Sequence, residues 1–238
     1  MGRTIGILGG MGTAAGIHFA QRLVDLNHTA TGDKSHPAFI LYSNPSIPDR
    51  GSAYLYGTHS PVTNICFSLN KLAYLGADFG VLICNTAHIY FDDIVQNSKL
   101  PLINMVASVA EMVEKMPLSK IGLLATSATV SSRLYHDYLA PSGIDVFTPD
   151  QNDQIHVDRS IYDPVIGIKS TGNRINSLAL DLLEHVTERM HREFGIEHFI
   201  LGCTELSMIP ICGRLEKFQF VDPVSLLAER CLSSAGFL

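Results

Sequence analysis

No stretch of the 238-residue sequence reaches the roughly 18 consecutive apolar residues that a membrane-spanning helix needs. The first residues, MGRTIGILGG, run directly into a strand-like segment and lack the charged start and long apolar core of a secretory signal. These two absences make a soluble, cytoplasmic protein with no membrane partner the expectation. Basic residues are in the minority, 17 Lys and Arg against 23 Asp and Glu for a net charge of −6. No cationic excess is left to hold a phosphate backbone, so no nucleic-acid partner is expected. The five cysteines, Cys66, Cys84, Cys203, Cys212 and Cys231, contain no C-x-x-C pair, and their odd number closes no disulfide framework. Free thiols in a reducing compartment are expected. The G-x-S-x-G elbow, the G-K-[ST] phosphate loop and the H-E-x-x-H zinc motif are all missing. Cys84 and His88 are the only pair that suggests a metal, and no second arm completes a ligand set. Neither a metal nor an organic cofactor is expected.

What the sequence does contain, at 46% hydrophobic residues, is ample material for a core. Short runs rich in Ile, Leu and Val, at residues 4–8, 39–43, 79–84, 102–104, 121–125, 145–148, 198–203 and 220–222, read as buried strands. Between them, residues 13–27, 62–75, 108–116, 131–139 and 175–194 have helical spacing without internal proline. Strands alternating with crossover helices predict an α/β fold with parallel sheets. The pattern also repeats. Ile5-Gly6-Ile7-Leu8 returns as Ile121-Gly122-Leu123-Leu124, the run ending in Cys84 returns as the run ending in Cys203, and Ile103-Asn104-Met105-Val106 returns as Val221-Asp222-Pro223-Val224. The three offsets agree within a few residues and keep their order, which predicts two similar α/β domains related by a pseudo-two-fold. The expected division is residues 1–98 with 213–238 in the first domain and 99–212 in the second, with no low-complexity linker between them.

In an open parallel sheet, ligands bind beyond the carboxyl ends of the strands. Cys84-Asn85-Thr86 closes one apolar run and Cys203-Thr204-Glu205 closes its repeat. A free cysteine is commonly a small buried hydrophobe. Packing gives no reason for a cysteine to stand at one structural position in both copies, whereas a pair of thiols facing each other across an interdomain cleft does. Each cysteine precedes polar residues able to cap a following helix, so a lowered thiol pKa is expected. The glycine turn Gly9-Gly10-Met11-Gly12 lacks the spacing of the dinucleotide fingerprint and serves either as a tight strand–helix turn or as an anion nest. Residues 44–50, with two prolines, form a stiff loop ending in Arg50, whose planar fork matches a carboxylate. Thr126 and Thr129 follow a strand at an N-cap position, and Lys169 is expected in a loop. Taken singly, Arg50 and Lys169 read more readily as solvated surface charges than as site residues.

The segments GILGGMG (6–12), SNPSIPDR (43–50), ICNTAH (83–88), LLATSATV (123–130), IYDPVIGIKSTG (161–172), LGCTELS (201–207) and VDP (221–223) resemble, in this order, the motifs of the aspartate/glutamate racemases, closest to the aspartate racemase branch. The resemblance departs at Thr13, where the family usually has proline, and at Gly51, where threonine often follows the arginine. It implies two α/β domains with the active site in the cleft between them, no pyridoxal phosphate, a small amino-acid substrate and a homodimer. It further implies catalytic thiols at Cys84 and Cys203, a carboxylate-binding Arg50 and a substrate-binding Lys169. Polar site residues fall on Asn85, Thr86, Thr126, Thr129 and Thr204, and Met11 of the glycine turn is expected beside them. The expected activity is interconversion of the enantiomers of aspartate, or of glutamate. An isomerase or decarboxylase of another small acid, such as a hydantoin, maleate or arylmalonate, and a non-catalytic binding module are the alternatives.

Overall fold

The structure is a computed structural model that describes residues 2–237, apart from the side chain of Arg214. The first half runs β1 (Ile5–Gly9), α1 (Thr13–Asp25), β2 (Phe39–Ser43), α2 (Arg50–Tyr56), α3 (Val62–Tyr74), β3 (Phe79–Leu82), α4 (Phe91–Asn97) and α5 (Met105–Val113). The second runs β4 (Lys120–Ala125), α6 (Ser127–Ser131), α7 (Leu134–Leu139), β5 (Asp145–Phe147), α8 (Gln151–Tyr162), α9 (Ile168–Thr171), α10 (Ser177–Phe194), β6 (His198–Gly202), β7 (Gln219–Val221) and α11 (Pro223–Ala235). Two parallel sheets result, ordered β2-β1-β3 and β5-β4-β6-β7. Ile5 pairs with Phe39 on one side and Phe79 on the other, and Gly122 pairs with Phe147 and Phe199 in the same way. Leu102 bridges to Gly80 in parallel, at the place that β7 takes beside β6. The repeat read in the sequence is thus a repeat of strand order.

The inner strands β1, β3, β4 and β6 are apolar along nearly their whole length because helices cover both faces of each sheet. Alternation sorts their side chains. Ile5, Ile7 and Val81 pack on one face of the first sheet, and Leu8, Leu82 and Cys84 on the other. Ile121, Leu123 and Ile200 pack on one face of the second, and Leu124, Leu201 and Cys203 on the other. The covering helices supply apolar stripes at helical spacing, Ala15, Phe19 and Leu23 from α1 and Ala179, Leu183, Val186 and Met190 from α10.

The last helix of each repeat crosses to the other half. Val106, Val109 and Val113 of α5 join the core around Ile121 and Leu123, whereas Val224, Leu227 and Cys231 of α11 join the core around Ile5 and Phe19. The matched segments around Asn104 and Asp222 turn out to be the N-caps of these two exchanged helices. Asn104 accepts from Ala107 N–H at 3.0 Å, Asp222 accepts from Val224 and Ser225 N–H, and Pro223 fills the first helical position. The exchanged helices begin after Asn104 and Asp222, inside the segments 99–212 and 213–238 of the expected division. An edge strand can pair only with the sheet it borders, so Leu102 stays with the first sheet and β7 with the second, and only the helices exchange.

Other differences concern helices. Arg50, expected in a loop, begins α2, which Asp49 caps by accepting from Ser52 N–H at 2.7 Å. Lys169, also expected in a loop, lies in the short α9. The helix expected over residues 131–139 is divided at Arg133, whose φ of 57° is left-handed. Among the described residues no helix is long and apolar enough to cross a membrane.

Candidate active site

The carboxyl ends of the strands from both halves converge on one cleft. Met11, Asp49, Arg50, Gly51, Cys84, Asn85 and Thr86 line it from the first half, and Thr126, Tyr162, Lys169, Cys203, Thr204 and Glu205 from the second. It is narrow, with a free volume of about 10 Å³. All the site residues expected from sequence border this space except Thr129. That residue is fully buried and reaches the cleft through a triangle of hydroxyls, with Thr86 at 3.0 Å and Thr126 at 3.1 Å, that ties the halves together.

Both expected cations face inward. Arg50 is 8% exposed, and its guanidinium donates to the carbonyls of Met11, Ile47 and Pro48. Burial works against its charge, but neighbouring Cys84 and Asp49 outweigh that and hold its pKa above the ordinary value. Lys169 Nζ donates to the Met11 carbonyl at 2.9 Å and pairs with Glu205 Oε1 at 2.5 Å. One carbonyl at the glycine turn thus collects both cations. Gly12 allows this closeness, because a Cβ there would collide with Glu205 Oε1. Gly10, at φ 90°, sets the turn against the backbone of Asn44.

The two thiols stand in unlike surroundings. Cys203 Sγ donates to Glu205 Oε2 at 3.0 Å, and Thr204 donates to the same oxygen at 3.2 Å. Burial and the adjacent carboxylate push the Cys203 thiol well above its ordinary pKa, against the opposing pull of Lys169. This reverses the expected lowering. The turns after both cysteines are short 3₁₀ segments, Thr86–Tyr90 and Leu206–Met208, and a buried anion two residues away outweighs so weak a dipole. Burial alone would raise Glu205, but the ion pair with Lys169 and the bonds from Lys169 and Cys203 hold it below its ordinary value. Cys84 lies against Arg50 instead. Two buried donors of the cleft residues, Arg50 Nε and Asn85 Nδ2, have no hydrogen-bond partner among the described residues. Tyr135 O–H donates to Asn85 Oδ1, which leaves the amide nitrogen as the unused end.

His88 has a structural part. Its Nδ1–H donates to the Cys84 carbonyl at 2.9 Å and its Nε2 accepts from Met105 N–H at 3.1 Å, so the neutral ring ties the cysteine turn to the start of α5. Both nitrogens are thereby occupied, and neither is turned to a metal with Cys84. Burial lowers its pKa from 6.5 to about 4. The unfolded chain binds this proton below pH 6.5 and the folded chain only below about 4. His88 is therefore expected to cost about 3 kcal/mol of stability as pH falls through that window, with nothing lost above it. Urea unfolding from pH 7.5 to 4 checks this: the slope should flatten in His88→Gln, and an identical slope in both proteins overturns it.

Sequence reasoning missed Glu205, Asp49 and Tyr162. Glu205 stood in plain sight two residues after Cys203, but nothing in the spacing shows that its side chain turns back to the thiol. Tyr162 and Asp49 also border the two open depressions outside the cleft, so they form its rim.

A family description, Asp/Glu/Hydantoin racemase, matches residues 8–231. The solved structure of an aspartate racemase from Picrophilus torridus superposes with a TM-score of 0.85 at 31% identity, over 99% of this chain and 95% of that one. A broad-specificity amino-acid racemase, RacX of Bacillus subtilis (strain 168), is 27% identical over 238 residues, 97% of each chain. A glutamate racemase from Francisella tularensis, solved with D-glutamate, shares the fold at a TM-score of 0.67 and 20% identity, over 98% of this chain and 80% of that one. With the match spanning nearly the whole length and both halves, the chain belongs to the Asp/Glu/hydantoin racemase family.

Proposed function

We propose that the protein interconverts the enantiomers of an acidic amino acid, aspartate before glutamate, without a cofactor, using Cys84 and Cys203 as acid and base on opposite faces of the substrate. The observation that carries this is the pair of thiols at repeat-equivalent strand ends, lining one cleft. Inversion at Cα needs a base behind the carbon and an acid in front of it. One cysteine, as thiolate, takes the Cα proton and becomes a thiol; the electron pair stays on Cα and its carboxylate; the opposite thiol then delivers its proton and becomes the thiolate. The enzyme ends with its two protonation states exchanged and is set for the reverse direction.

The two thiols differ in their surroundings. Cys203, buried and hydrogen-bonded to Glu205, rests as the thiol. Cys84 faces the Arg50 guanidinium instead of a carboxylate. A carbanion with no cofactor to delocalise it needs fixed positive charge in a dry site. Arg50 and Lys169 supply the charge, and the unpartnered Arg50 Nε and Asn85 Nδ2 supply donors for a substrate carboxylate. The cleft itself has about 10 Å³ free and adjoins an open depression of about 330 Å³ that shares Met11, Arg50, Lys169 and Glu205, so a substrate enters from that side and widens the cleft as it seats.

A second reading, a racemase of wider scope, is favoured by the similarity to RacX and by the charge of the walls, where Asp49 and Glu205 offset Arg50 and Lys169. Pure single enantiomers of acidic and neutral amino acids, incubated without added pyridoxal phosphate and separated by chiral chromatography, decide between the two. Conversion of D- and L-aspartate to the same mixture is the expected result. Inertness toward every amino acid would overturn the proposal in favour of a binding protein.

A further inference from the structure

Away from the cleft, three side chains converge between α8 and α10. Asp153 and His156 lie three residues apart on α8 and so share one face of it, and His185 meets them from the packed α10. One carboxylate oxygen and one ring nitrogen from each histidine lie within 4.8 Å of one another. His185 Nε2 is 3.7 Å from Asp153 Oδ1, and the imidazoles meet edge to face with centroids 5.7 Å apart. Tetrahedral bonds of about 2.1 Å place two ligand atoms about 3.4 Å apart, so small side-chain adjustments close the set.

Two further features favour a cation here. His156 Nδ1 is buried without a hydrogen-bond partner among the described residues, a deficit that a metal bond at that nitrogen would remove. The surface depression beside His185 is lined by Asp181, Glu184 and Glu188, the last paired with Lys217 at 2.8 Å, together with one cation, Arg192, so carboxylates outnumber the cation on its wall. Arg189 opposes them, donating to Asp153 Oδ1 at 3.2 Å, but it also bonds Asp150 at 2.8 Å, which turns part of its charge away.

We propose that Asp153, His156 and His185 bind one divalent transition-metal ion of the zinc, cobalt or nickel class and thereby clip α8 to α10. Two imidazoles and one carboxylate suit these ions, whereas magnesium and calcium prefer oxygen alone. The site is distinct from the cleft, since His156 precedes Tyr162 by six residues, about 9 Å along the helix. No step of racemisation passes through it. Its effect is on the rigidity of α8, whose last residue forms part of the cleft rim. No sequence spacing shows the site, because its third ligand comes from a different helix.

Zinc is the probe. Tag-free full-length protein, stripped with chelator, is titrated with Zn²⁺ calorimetrically, alongside His156→Ala, His185→Ala and Cys84→Ser. One ion bound in the micromolar range by both the wild type and Cys84→Ser, with affinity falling more than about 100-fold in each histidine variant, is the expected result. His185 is half exposed, so its variant tests the proposal even where His156→Ala folds poorly. Zinc should also raise the Tm of the wild type and leave that of His185→Ala unchanged. Equal zinc affinity in wild type and His185→Ala, binding no tighter than millimolar, or binding lost in Cys84→Ser would each overturn it.

Discussion

Cys84→Ser and Cys203→Ser are each expected to lower racemisation by at least about 10³-fold, because a serine hydroxyl is neither an alkoxide base nor a comparable acid near neutral pH. Both side chains keep nearly the same volume and both sites are buried, so the fold should survive. Loss of inversion does not require loss of all chemistry. A single remaining thiolate still reaches one face of Cα and can exchange that proton with solvent without inverting the centre. Deuterium uptake at Cα, followed by NMR for each enantiomer in each variant, should therefore show exchange in one enantiomer per variant, and opposite enantiomers for the two. Cys66→Ser is the control: that thiol is buried by α3, near the Ile94 carbonyl at 3.7 Å, and borders no part of the cleft. Near wild-type racemisation in both Cys84→Ser and Cys203→Ser would refute the two-thiol mechanism, and a dead Cys66→Ser would overturn the reading of the repeat that singled out Cys84 and Cys203.

The position of these thiols was legible before the structure because it depends on strand periodicity and on a repeat, both of which the chain writes in its residue order. Inner parallel strands buried on both faces must be continuously apolar, and Ile5–Gly9, Phe79–Leu82 and His198–Gly202 announce themselves. Helix α8 does not, since its buried face mixes Asp153, Gln154 and Ser160 with Val157 and Ile161, so apolar spacing alone misses it. Its start is signalled instead by a cap, Asp150 accepting from Asn152 and Asp153 N–H. The expected division already placed the segments of α5 and α11 with the opposite halves, but apolar periodicity does not show that the edge segments just before them, Leu102 and Gln219–Val221, stay with the sheets they border, because that is decided by strand pairing. The direction of the Cys203 shift was not legible at all. A thiol before a turn suggests a favourable dipole, and only coordinates show a buried carboxylate 3.0 Å away. Glu205 in turn is tolerable there because Lys169 reaches it from a segment 36 residues earlier.

Arg50→Lys is expected to lower kcat/KM by about 10- to 150-fold, the equivalent of roughly 1.5–3 kcal/mol for one lost charge-assisted contact, and Arg50→Ala by more. Charge is not what the lysine variant removes. The guanidinium presents a planar fork: one end holds the Ile47 and Pro48 carbonyls, another the Met11 carbonyl, and Nε remains for a ligand. An ammonium can replace one of these directions but not all three. A purely structural arginine would give a different pattern, a fall in Tm with the surviving folded enzyme turning over normally. The racemase reaction supplies an internal check on this point. Two enantiomers have an equilibrium constant of one, so any variant that truly weakens the transition state must lose the same factor in kcat/KM from either side, while kcat and KM individually are free to diverge. Arg50 stands beside Cys84, whereas Cys203 is bonded to Glu205, so loss of Arg50 should divide unequally, with a larger change in kcat for the enantiomer whose proton Cys84 removes. Full progress curves from both enantiomers, with Tm measured on the same samples, test this; wild-type kinetics in Arg50→Ala would remove the residue from the site.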